Sequence, residues 1–348
     1  MKSIGALILH VGTALLMICG DLDAEVFVGN ANANSVTVYA DDAQGDAAPI
    51  RSLVGANTEL GDVHGVAVDL VNRELFVSLD SYDGINVYDL DAQGDAAPIR
   101  SLRGPITGID RATGLAVDPV HDELYVCSGD NDSVLVFPRT ADGDVAPIRA
   151  ISGPSTGLEF NLFMFVDLAH DEIFVVNTVT TDSITVYPRT ATGDVAPIRT
   201  LTGPGTQIGD PRGIFVSAEH DELYLVERWD GKILVFPRTA EGDTAPTRAL
   251  TGPATGLFHP QGMVLSVDDE LLVVSEVLDS VTVHPRTADG DVAPVRTIAG
   301  AGTGLDVPIG ITSTRAAGGS AGFAGPITLL FSDGFESGDT ARWTSAVP

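Results

Sequence analysis

The chain alternates between short apolar runs and polar turns with a regular order. In one representative stretch, residues 114–118 (GLAVD) are apolar enough for a strand buried on both faces. After a polar turn, residues 123–127 and 133–137 read as two further strands, and Pro138 ends the third because proline cannot donate to a ladder. A glycine and aspartate turn then leads to an outer edge strand at residues 147–151. This pattern predicts four β-strands per unit and no helix.

The unit is repeated along the chain. The heptapeptide at residues 143–149 (GDVAPIR) has close copies that are spaced by 48 to 50 residues. The six copies begin at Gly45, Gly94, Gly143, Gly193, Gly242 and Gly290. A repeat of this length is close to one four-stranded propeller blade. The sequence therefore predicts an all-β, six-bladed β-propeller of four-stranded blades.

The two ends of the repeat region are incomplete blades. Residues 25–28 align with the second strand of the unit, and residues 310–313 align with the first. Joined, they complete the sixth blade and remove a free sheet edge. We therefore expect Ile311 to lie beside Phe27 in one sheet.

The strand sequences at residues 211–216, 222–226 and 233–236 resemble the bacterial NHL and YVTN-type propeller repeats, over about residues 24–314. The resemblance implies the propeller fold. Proteins similar to these repeats include interaction modules, sugar-lactone hydrolases and a lyase, so the resemblance does not choose a function.

The two termini differ from the repeat. Residues 1–24 read as a signal peptide, with Lys2 before an apolar run at residues 4–18, and an uncleaved membrane anchor is the alternative. Residues 25–315 are then the propeller and residues 316–328 a flexible linker. The tail, residues 329–348, resembles the "F-x-D-G-F-E-S-G-D-T-x-x-W" endings of exported bacterial proteins. We expect a sorting or surface-retention segment, with a stray edge strand packed on the propeller as the alternative, and a secreted, periplasmic or cell-surface protein.

The charge of the chain limits its partners. It has 48 acidic and 19 basic residues and a formal net charge of −29 among 348 residues. Such a charge repels phosphate backbones and anionic lipid headgroups. We expect no nucleic-acid partner, no membrane insertion after signal cleavage, and a monomer. The charge itself indicates solubility, with cation binding as the alternative.

Several short motifs resemble chemical sites, but a structural role within the repeat explains them better. Ser155 lies in a G-x-S-x-G pattern, but no helix follows it and the other blades carry different residues there. His121, His170 and His220 recur in one turn, which indicates a local structural role. Cys127, within a strand pattern, is predicted to be a buried small hydrophobe.

The repeated Gly-Asp pair also requires a test for calcium. Asp142 and Asp144 flank Gly143, but Thr192 replaces the first carboxylate in another blade. A calcium ion needs six to eight oxygen ligands. Turn capping is therefore the better interpretation, with no cofactor assigned and Ca²⁺ kept as the alternative.

A candidate ligand site follows from where the copies differ. By propeller geometry the turns around His121 and Gly143 lie on one face, and they are nearly uniform. The opposite face, here called the variable face, carries the connections into the first strands and the loops between second and third strands. We expect a ligand at this face, near the axis. The candidate binding residues are Asn30, Asp62, His64, Asn177, Asp210, Arg212, Glu227, Trp229 and His259.

Two functions fit these residues. The first is a secreted, non-enzymatic propeller that binds a protein, a glycan or a cell-surface component, with no catalytic residue. The alternative is a metal-dependent sugar-lactone hydrolase. The resemblance implies that such an enzyme uses carboxylate and amide side chains to hold a divalent cation. The cation polarises the lactone carbonyl and activates water. The positions that would supply them are Asn30, Asn177 and Glu227, with Asp62, Asp210 and His259 across from them.

Overall fold

The protein is a six-bladed β-propeller. A computed structural model describes residues 24–317, so residues 1–23 of the predicted signal peptide, most of the predicted linker and the whole of residues 329–348 lie outside the described part. The described part contains six antiparallel four-stranded sheets whose first strands surround one axis. The predicted fold class is confirmed.

The bounds of the strands, blade by blade, are as follows. Blade 1 has β4 (Val63–Asp69), β5 (Glu74–Leu79), β6 (Gly84–Asp89) and β7 (Arg100–Arg103), and blade 2 has β8 (Ala112–Asp118), β9 (Glu123–Ser128), β10 (Ser133–Pro138) and β11 (Arg149–Ile151). Blade 3 has β12 (Asn161–Asp167), β13 (Glu172–Asn177), β14 (Ser183–Pro188) and β15 (Arg199–Leu201), and blade 4 has β16 (Pro211–Ser217), β17 (Glu222–Glu227), β18 (Lys232–Pro237) and β19 (Arg248–Thr251). Blade 5 has β20 (Pro260–Leu265), β21 (Glu270–Ser275), β22 (Ser280–Pro285) and β23 (Arg296–Ala299), and blade 6 has β24 (Pro308–Ser313), β1 (Glu25–Asn30), β2 (Ser35–Ala40) and β3 (Arg51–Leu53). Three single-turn 3-10 helices, Ala56–Thr58, Asp80–Tyr82 and Pro204–Thr206, lie in connections.

The sixth blade joins the two ends of the described chain. In the sheet β24-β1-β2-β3, Val28 pairs with Ile311 and Phe27 with Thr312. The Glu25 amide donates to the Thr314 hydroxyl at 2.9 Å, and the Thr314 amide donates back to the Glu25 carbonyl at 2.9 Å. The prediction of closure by both termini is therefore confirmed, with Ile311 paired to Val28, one residue from the expected Phe27.

The core lies between neighbouring sheets. The middle residues of every second strand are mostly apolar, and their side chains are buried on both faces of the sheet. Cys127 is one of these buried residues, and burial raises the pKa of its thiol to about 12. Its predicted role as a small core residue is confirmed, because a protonated, enclosed thiol is a poor nucleophile.

The most repeated segment connects each blade to the one before it. Gly143 of blade 2 forms a parallel bridge to Leu102 in the outer strand of blade 1, and its amide donates to the Ser101 carbonyl at 2.8 Å. All six copies make the equivalent bridge. Gly143 lies in the connection between β10 and β11 with a φ of 71°, as expected of a turn glycine, and it also covers the outer edge of the neighbouring sheet. For the same reason β11 begins at Arg149, later than predicted.

The aspartate of this segment caps the neighbouring connection. The Asp144 carboxylate accepts the amides of Ile106 at 2.6 Å and Thr107 at 3.2 Å. A Cβ on Gly104, whose φ is 128°, would lie 2.5 Å from the Asp144 carboxyl carbon, so only glycine fits there. The Ser155 amide is held in the same way by Asp194 at 2.6 Å, which confirms that this serine belongs to a turn.

Arginine and glutamate side chains form a belt around the ring. In every blade the arginine that begins the outer strand pairs with the glutamate that begins the second strand, as in Arg149–Glu123 at 2.6 Å. In four of the six seams between blades, a second arginine from the following blade reaches the same glutamate, as Arg139 reaches Glu74 at 2.6 Å. The guanidiniums are largely buried and paired, which is the arrangement in which buried charge is tolerated.

The two seams of blade 6 lack this second arginine. Leu90 of blade 1 occupies the position near Glu25, and Asp41 of blade 6 occupies the position near Glu270. Burial raises the pKa of Asp41, and Asp268 and Glu270 raise it further, while Arg296 and Arg315 lower it. The seam between blades 5 and 6 therefore carries an acidic residue where four other seams carry a cation.

The histidines of the repeated turn have the local role predicted for them. Nδ1 of His121 lies 2.7 Å from the Asp118 carboxylate, and Nδ1 of His170 lies 2.8 Å from that of Asp167. Nδ1 of His220 lies 2.9 Å from the Ser217 hydroxyl oxygen. Each contact closes the turn between the first and second strands of one blade.

Candidate functional site

The variable face is built from the ends of the second strands. In five of the six blades, the side chain of the last residue of the second strand binds the connection that enters the first strand of the same blade; blade 1 has Leu79 there. The Asn30 amide oxygen accepts the Asp306 amide at 3.2 Å, and the Asn177 amide oxygen accepts the Glu159 amide at 3.1 Å. Their Nδ2 groups donate to the hydroxyls of Thr37 and Thr185, both at 3.0 Å. Both predicted binding residues are thus buried and engaged through both ends of the amide.

Glu227 holds the corresponding position in blade 4. Its Oε2 accepts the amides of Gly209 at 2.8 Å and Asp210 at 3.0 Å, while Oε1 is enclosed without a partner among residues 24–317. Burial raises the pKa of Glu227 to about 7, although the two amide hydrogen bonds lower it. This carboxyl group therefore exchanges a proton near neutral pH.

Asp210 and Arg212 form an ion pair near the axis. Nη1 of Arg212 lies 2.8 Å from Oδ1 of Asp210, and the same nitrogen donates to the Pro211 carbonyl at 3.1 Å. Burial lowers the pKa of Arg212 and raises that of Asp210, so the desolvation of both groups outweighs their mutual attraction.

Arg228 extends this pair outward. It lies 3.8 Å from the Asp210 carboxylate, and its Nε donates to Glu276 at 2.9 Å. Glu276 also accepts from the Gln261 side chain and lies 3.3 Å from Nδ1 of His259. The loops of blades 4 and 5 are thus joined by one polar network.

An exposed aromatic cluster lies on this network. The indole of Trp229 lies 4.4 Å from the Arg228 guanidinium and contacts the His259 ring edge-on at 4.9 Å. His259 in turn stacks on Phe258 at 4.8 Å. Trp229 is 62% exposed and Phe258 51% exposed. The cluster therefore combines a fixed geometry with a large apolar area open to solvent.

Asp62 and His64 belong to the entrance of blade 1. The Asp62 amide donates to the Asn34 side chain of blade 6 at 2.6 Å, and its carboxylate lies 3.4 Å from the Ser81 hydroxyl. His64 is the second residue of β4 and packs against Phe163 of blade 3, with ring centroids 5.4 Å apart. The structure therefore places Asp62 at the rim and His64 at the axis.

The axis itself is narrow and apolar. Five of the six first strands carry glycine at the third position, which lets neighbouring strands approach closely, as Gly213 does to the Gln261 carbonyl. The sixth strand carries Phe163 there, and this side chain lines the axial cavity with Met164 and Met263. The sequence analysis missed Phe163, although comparing the third positions of the strands would have found it.

The nine predicted residues do not form one constellation. His64 and Arg212 lie near the axis, Asp210, Glu227, Trp229 and His259 share the loops of blades 4 and 5, and Asn30, Asn177 and Asp62 serve the entrances of their own blades. Within residues 24–317 no group of three or more His, Cys, Asp or Glu side chains is placed to hold a metal ion. Arg228, Glu276, Gln261 and Phe258 complete the site and were absent from the predicted set. Aromatic and charged residues in adjacent loops were the available signal.

Comparison with known proteins supports the fold alone. No protein-family model matches this chain, and no curated protein matches it. A chain of the nidogen/laminin complex has a TM-score of 0.60 at 14% identity, with 83% of this chain and 97% of that chain covered. A chain of hydrazine synthase from Kuenenia stuttgartiensis has a TM-score of 0.52 at 13% identity, with 74% and 72% covered. The NHL and YVTN resemblance stays a prediction.

No helix within residues 24–317 has the length and apolar character needed to span a bilayer.

Proposed function

We propose that this chain is a non-enzymatic binding protein that engages a protein partner through the variable face, with the Trp229 cluster as the main contact. The observation that carries the proposal is the exposure of Trp229 between Arg228 and His259, both of which fix its position. Tryptophan and arginine are the residues most enriched among those that dominate binding energy at protein interfaces. A side chain that is already held in place loses little entropy on binding.

The surroundings of Trp229 extend the apolar area. Phe258, Val277 and Leu278 are each about half exposed and lie in the loops of blades 4 and 5. Several exposed apolar side chains in neighbouring loops are typical of an interaction site. The similar propeller in the nidogen/laminin complex is itself part of a protein–protein assembly, which agrees with a protein partner. A glycan or another surface component is the second class of ligand.

The proposed setting is outside the cytoplasm. The apolar stretch at residues 4–18 and the motif-rich tail at residues 329–348 are the sequence features that support export and surface retention. We propose that the mature protein is monomeric, because its net charge opposes self-association.

The experiment is a quantitative capture with matched variants. Purified wild-type protein, Trp229→Ala and Ile148→Ser are immobilised and exposed to extracellular proteins of the source cell. Ile148 is a similarly exposed apolar residue away from the variable face, so it is the control. We expect a partner whose purified form binds wild type and Ile148→Ser equally, and Trp229→Ala at least tenfold more weakly. A purified partner that binds Trp229→Ala as tightly as wild type would overturn the proposal.

A further inference from the structure

A cavity of about 290 Å³ lies beside the turn between β20 and β21 in blade 5. Arg286 lines it, but its guanidinium is held by Asp269 at 3.0 Å and by Glu222 of blade 4 at 2.9 Å. A cavity of this size is close to the lower end of the range for small-ligand sites. The other lining residues are Asp268, Asp269, Glu270, Pro285, Thr287 and Val295.

The glutamates equivalent to Glu270 show which group this position binds. In four seams the glutamate is paired with the arginine of its own outer strand and still binds a second arginine from the following blade. In the seam between blades 4 and 5, Arg248 donates to Glu222 at 3.0 Å and to the Arg286 carbonyl at 3.3 Å, and the Arg286 side chain donates to the same glutamate at 2.9 Å. A glutamate at this position that is already paired once therefore binds a second guanidinium.

Glu270 has the first of these two partners. Nη1 of Arg296 lies 2.7 Å from Glu270, and Nη2 donates to the Asp41 carbonyl at 2.8 Å, so Asp41 holds the place that Arg286 holds in the seam before. An ionised Asp41 side chain cannot donate a hydrogen bond, and its Oδ1 is enclosed without a hydrogen-bond partner among residues 24–317. Within that range, no second arginine is paired with Glu270.

Glu270 is also the most exposed of the six equivalent glutamates. Its side chain is 26% exposed, whereas the four glutamates that bind two arginines are 11 to 18% exposed. In the remaining seam Leu90 lies beside Glu25, and Glu25 is 11% exposed. The carboxylate of Glu270 is therefore accessible because blade 6 places no long side chain over it.

The described part of the chain ends beside this cavity. The Ala317 amide donates to the Leu265 carbonyl of blade 5 at 2.7 Å, and Arg315 lies 2.9 Å from Asp268, which lines the cavity. Residues 318–348 contain a single basic residue, Arg342. Arg342 of the same chain and an arginine of another molecule are therefore the two sources of a further guanidinium.

We propose that the cavity at Glu270 binds the guanidinium of one arginine side chain, the group that the following blade itself supplies to the equivalent glutamate in four other seams. The planar guanidinium matches a carboxylate in geometry as well as in charge, and this bond is among the stronger hydrogen bonds in proteins. A bound arginine would anchor its own chain at the seam between blades 5 and 6. The site lies at the turns between first and second strands, opposite the variable face, so it is separate from the proposed contact at Trp229.

The test uses a charged probe and its neutral analogue on the mature full-length chain. N-acetyl-arginine N-methylamide is compared with N-acetyl-citrulline N-methylamide, which has the same shape but carries an uncharged urea. Saturation-transfer NMR titrations give the affinity of each probe for wild type and for Arg342→Gln, whose tail cannot supply the group. We expect saturable binding of the arginine probe to Arg342→Gln, with the citrulline probe at least tenfold weaker. Tighter binding to Arg342→Gln than to wild type identifies Arg342 as the source, and equal binding identifies an arginine of another molecule.

Substitutions at the seam provide matched variants in the Arg342→Gln background. Asp41→Arg supplies a guanidinium from blade 6 and should weaken binding of the arginine probe at least tenfold, while Asp42→Arg makes the same charge change at an exposed neighbour and should leave it unchanged. Glu270→Gln removes the accepting charge and should also weaken binding, which keeps the test decisive if Asp41→Arg does not fold. No saturable binding to Arg342→Gln, equal affinity for the two probes, or undiminished binding in Asp41→Arg or Glu270→Gln would overturn the proposal. Trp229→Ala should leave probe binding intact, so failure here is distinct from failure of the proposed function.

Discussion

Val28 of the first strand pairs with Ile311 of the last strand, and this pair closes the ring. The two residues are separated by nearly the whole described chain, so the contact forms only when all six blades are in place. Such a pairing has a high loop-closure entropy and should make unfolding of the ring cooperative.

The closure predicts different effects for two truncations. A chain of residues 24–317 should fold, while a chain of residues 24–307, which lacks β24 (Pro308–Ser313), should expose the edge of β1 and aggregate or unfold. Circular dichroism, thermal unfolding and size-exclusion chromatography measure the difference. Equal cooperativity and equal Tm in the two chains would contradict a closing role for β24.

Asp41 predicts a stabilising substitution. Asp41→Arg should raise the free energy of unfolding by about 1 kcal/mol, since it supplies Glu270 with the cation found in four other seams and removes a partly buried like charge. Asp42→Arg makes the same charge change at an exposed neighbour and is the control. Urea unfolding at pH 7 gives both values, and an Asp41→Arg variant no more stable than Asp42→Arg would refute the seam argument.

His284 is the site of a substitution that should raise stability by an amount that depends on pH. It occupies a buried position that holds Tyr or Phe in the other five blades, and neither ring nitrogen has a partner among residues 24–317. Burial lowers the pKa of His284 to about 4 from 6.5. Below pH 6.5 the unfolded chain binds a proton that the folded chain does not, so this group's contribution to stability falls as pH drops from 6.5 to 4.

His284→Phe should therefore be more stable than wild type by about 1 to 2 kcal/mol at pH 7, because an unpaired polar group leaves the core. The difference should widen between pH 6.5 and pH 4. Guanidinium unfolding across this range is the measurement, and parallel stability curves for the two proteins would contradict the assigned pKa.

For Glu227 we expect stability to change with pH in the opposite direction. Its pKa is about 7 in the folded protein, against an ordinary value of 4.5, so the folded chain keeps a proton that the unfolded chain loses. Stability falls as pH rises from 4.5 to 7 and is level above that range. Glu227→Gln keeps an acceptor for the Gly209 and Asp210 amides and should gain about 2 kcal/mol at pH 8, with little change at pH 4. Asp230→Asn, an exposed neighbour, should show no such dependence.

A chelator test addresses the hydrolase alternative. Because the amides of Asn30 and Asn177 and one oxygen of Glu227 bind the protein's own backbone and hydroxyls, we expect the same Tm with EDTA and with added calcium. Turnover of simple sugar lactones should be absent in both conditions. Chelator-sensitive turnover together with a calcium-dependent rise in Tm would favour the enzyme.

The fold could be predicted from the sequence because the same pattern of strands and turns is repeated six times. The spacing of the Gly143 copies gave the blade count, and the fragments at residues 25–28 and 310–313 gave the closure. The role of Gly143 could not be read in this way, since its partner, Ser101, lies in another blade. A local pattern does not specify contacts between blades.

The candidate site was less predictable for a related reason. Loop position was the basis for placing the candidate residues on the variable face, and it does not specify which groups their side chains bind. Asn30 and Asn177 resemble metal ligands in sequence and bind entering loops in the structure. Arg228 and Glu276 were not among the predicted binding residues, and they fix the position of Trp229.

Phe163 is the one large side chain at the third position of the first strands, next to the axis. Where five strands place a hydrogen atom, one strand places a benzyl group that reaches the His64 ring two blades away. A propeller with an open centre can conduct water or a thin ligand from one surface to the other. Here the Phe163 side chain lines that centre together with Met164 and Met263, so a large ring narrows the path that glycine leaves open in the other five strands.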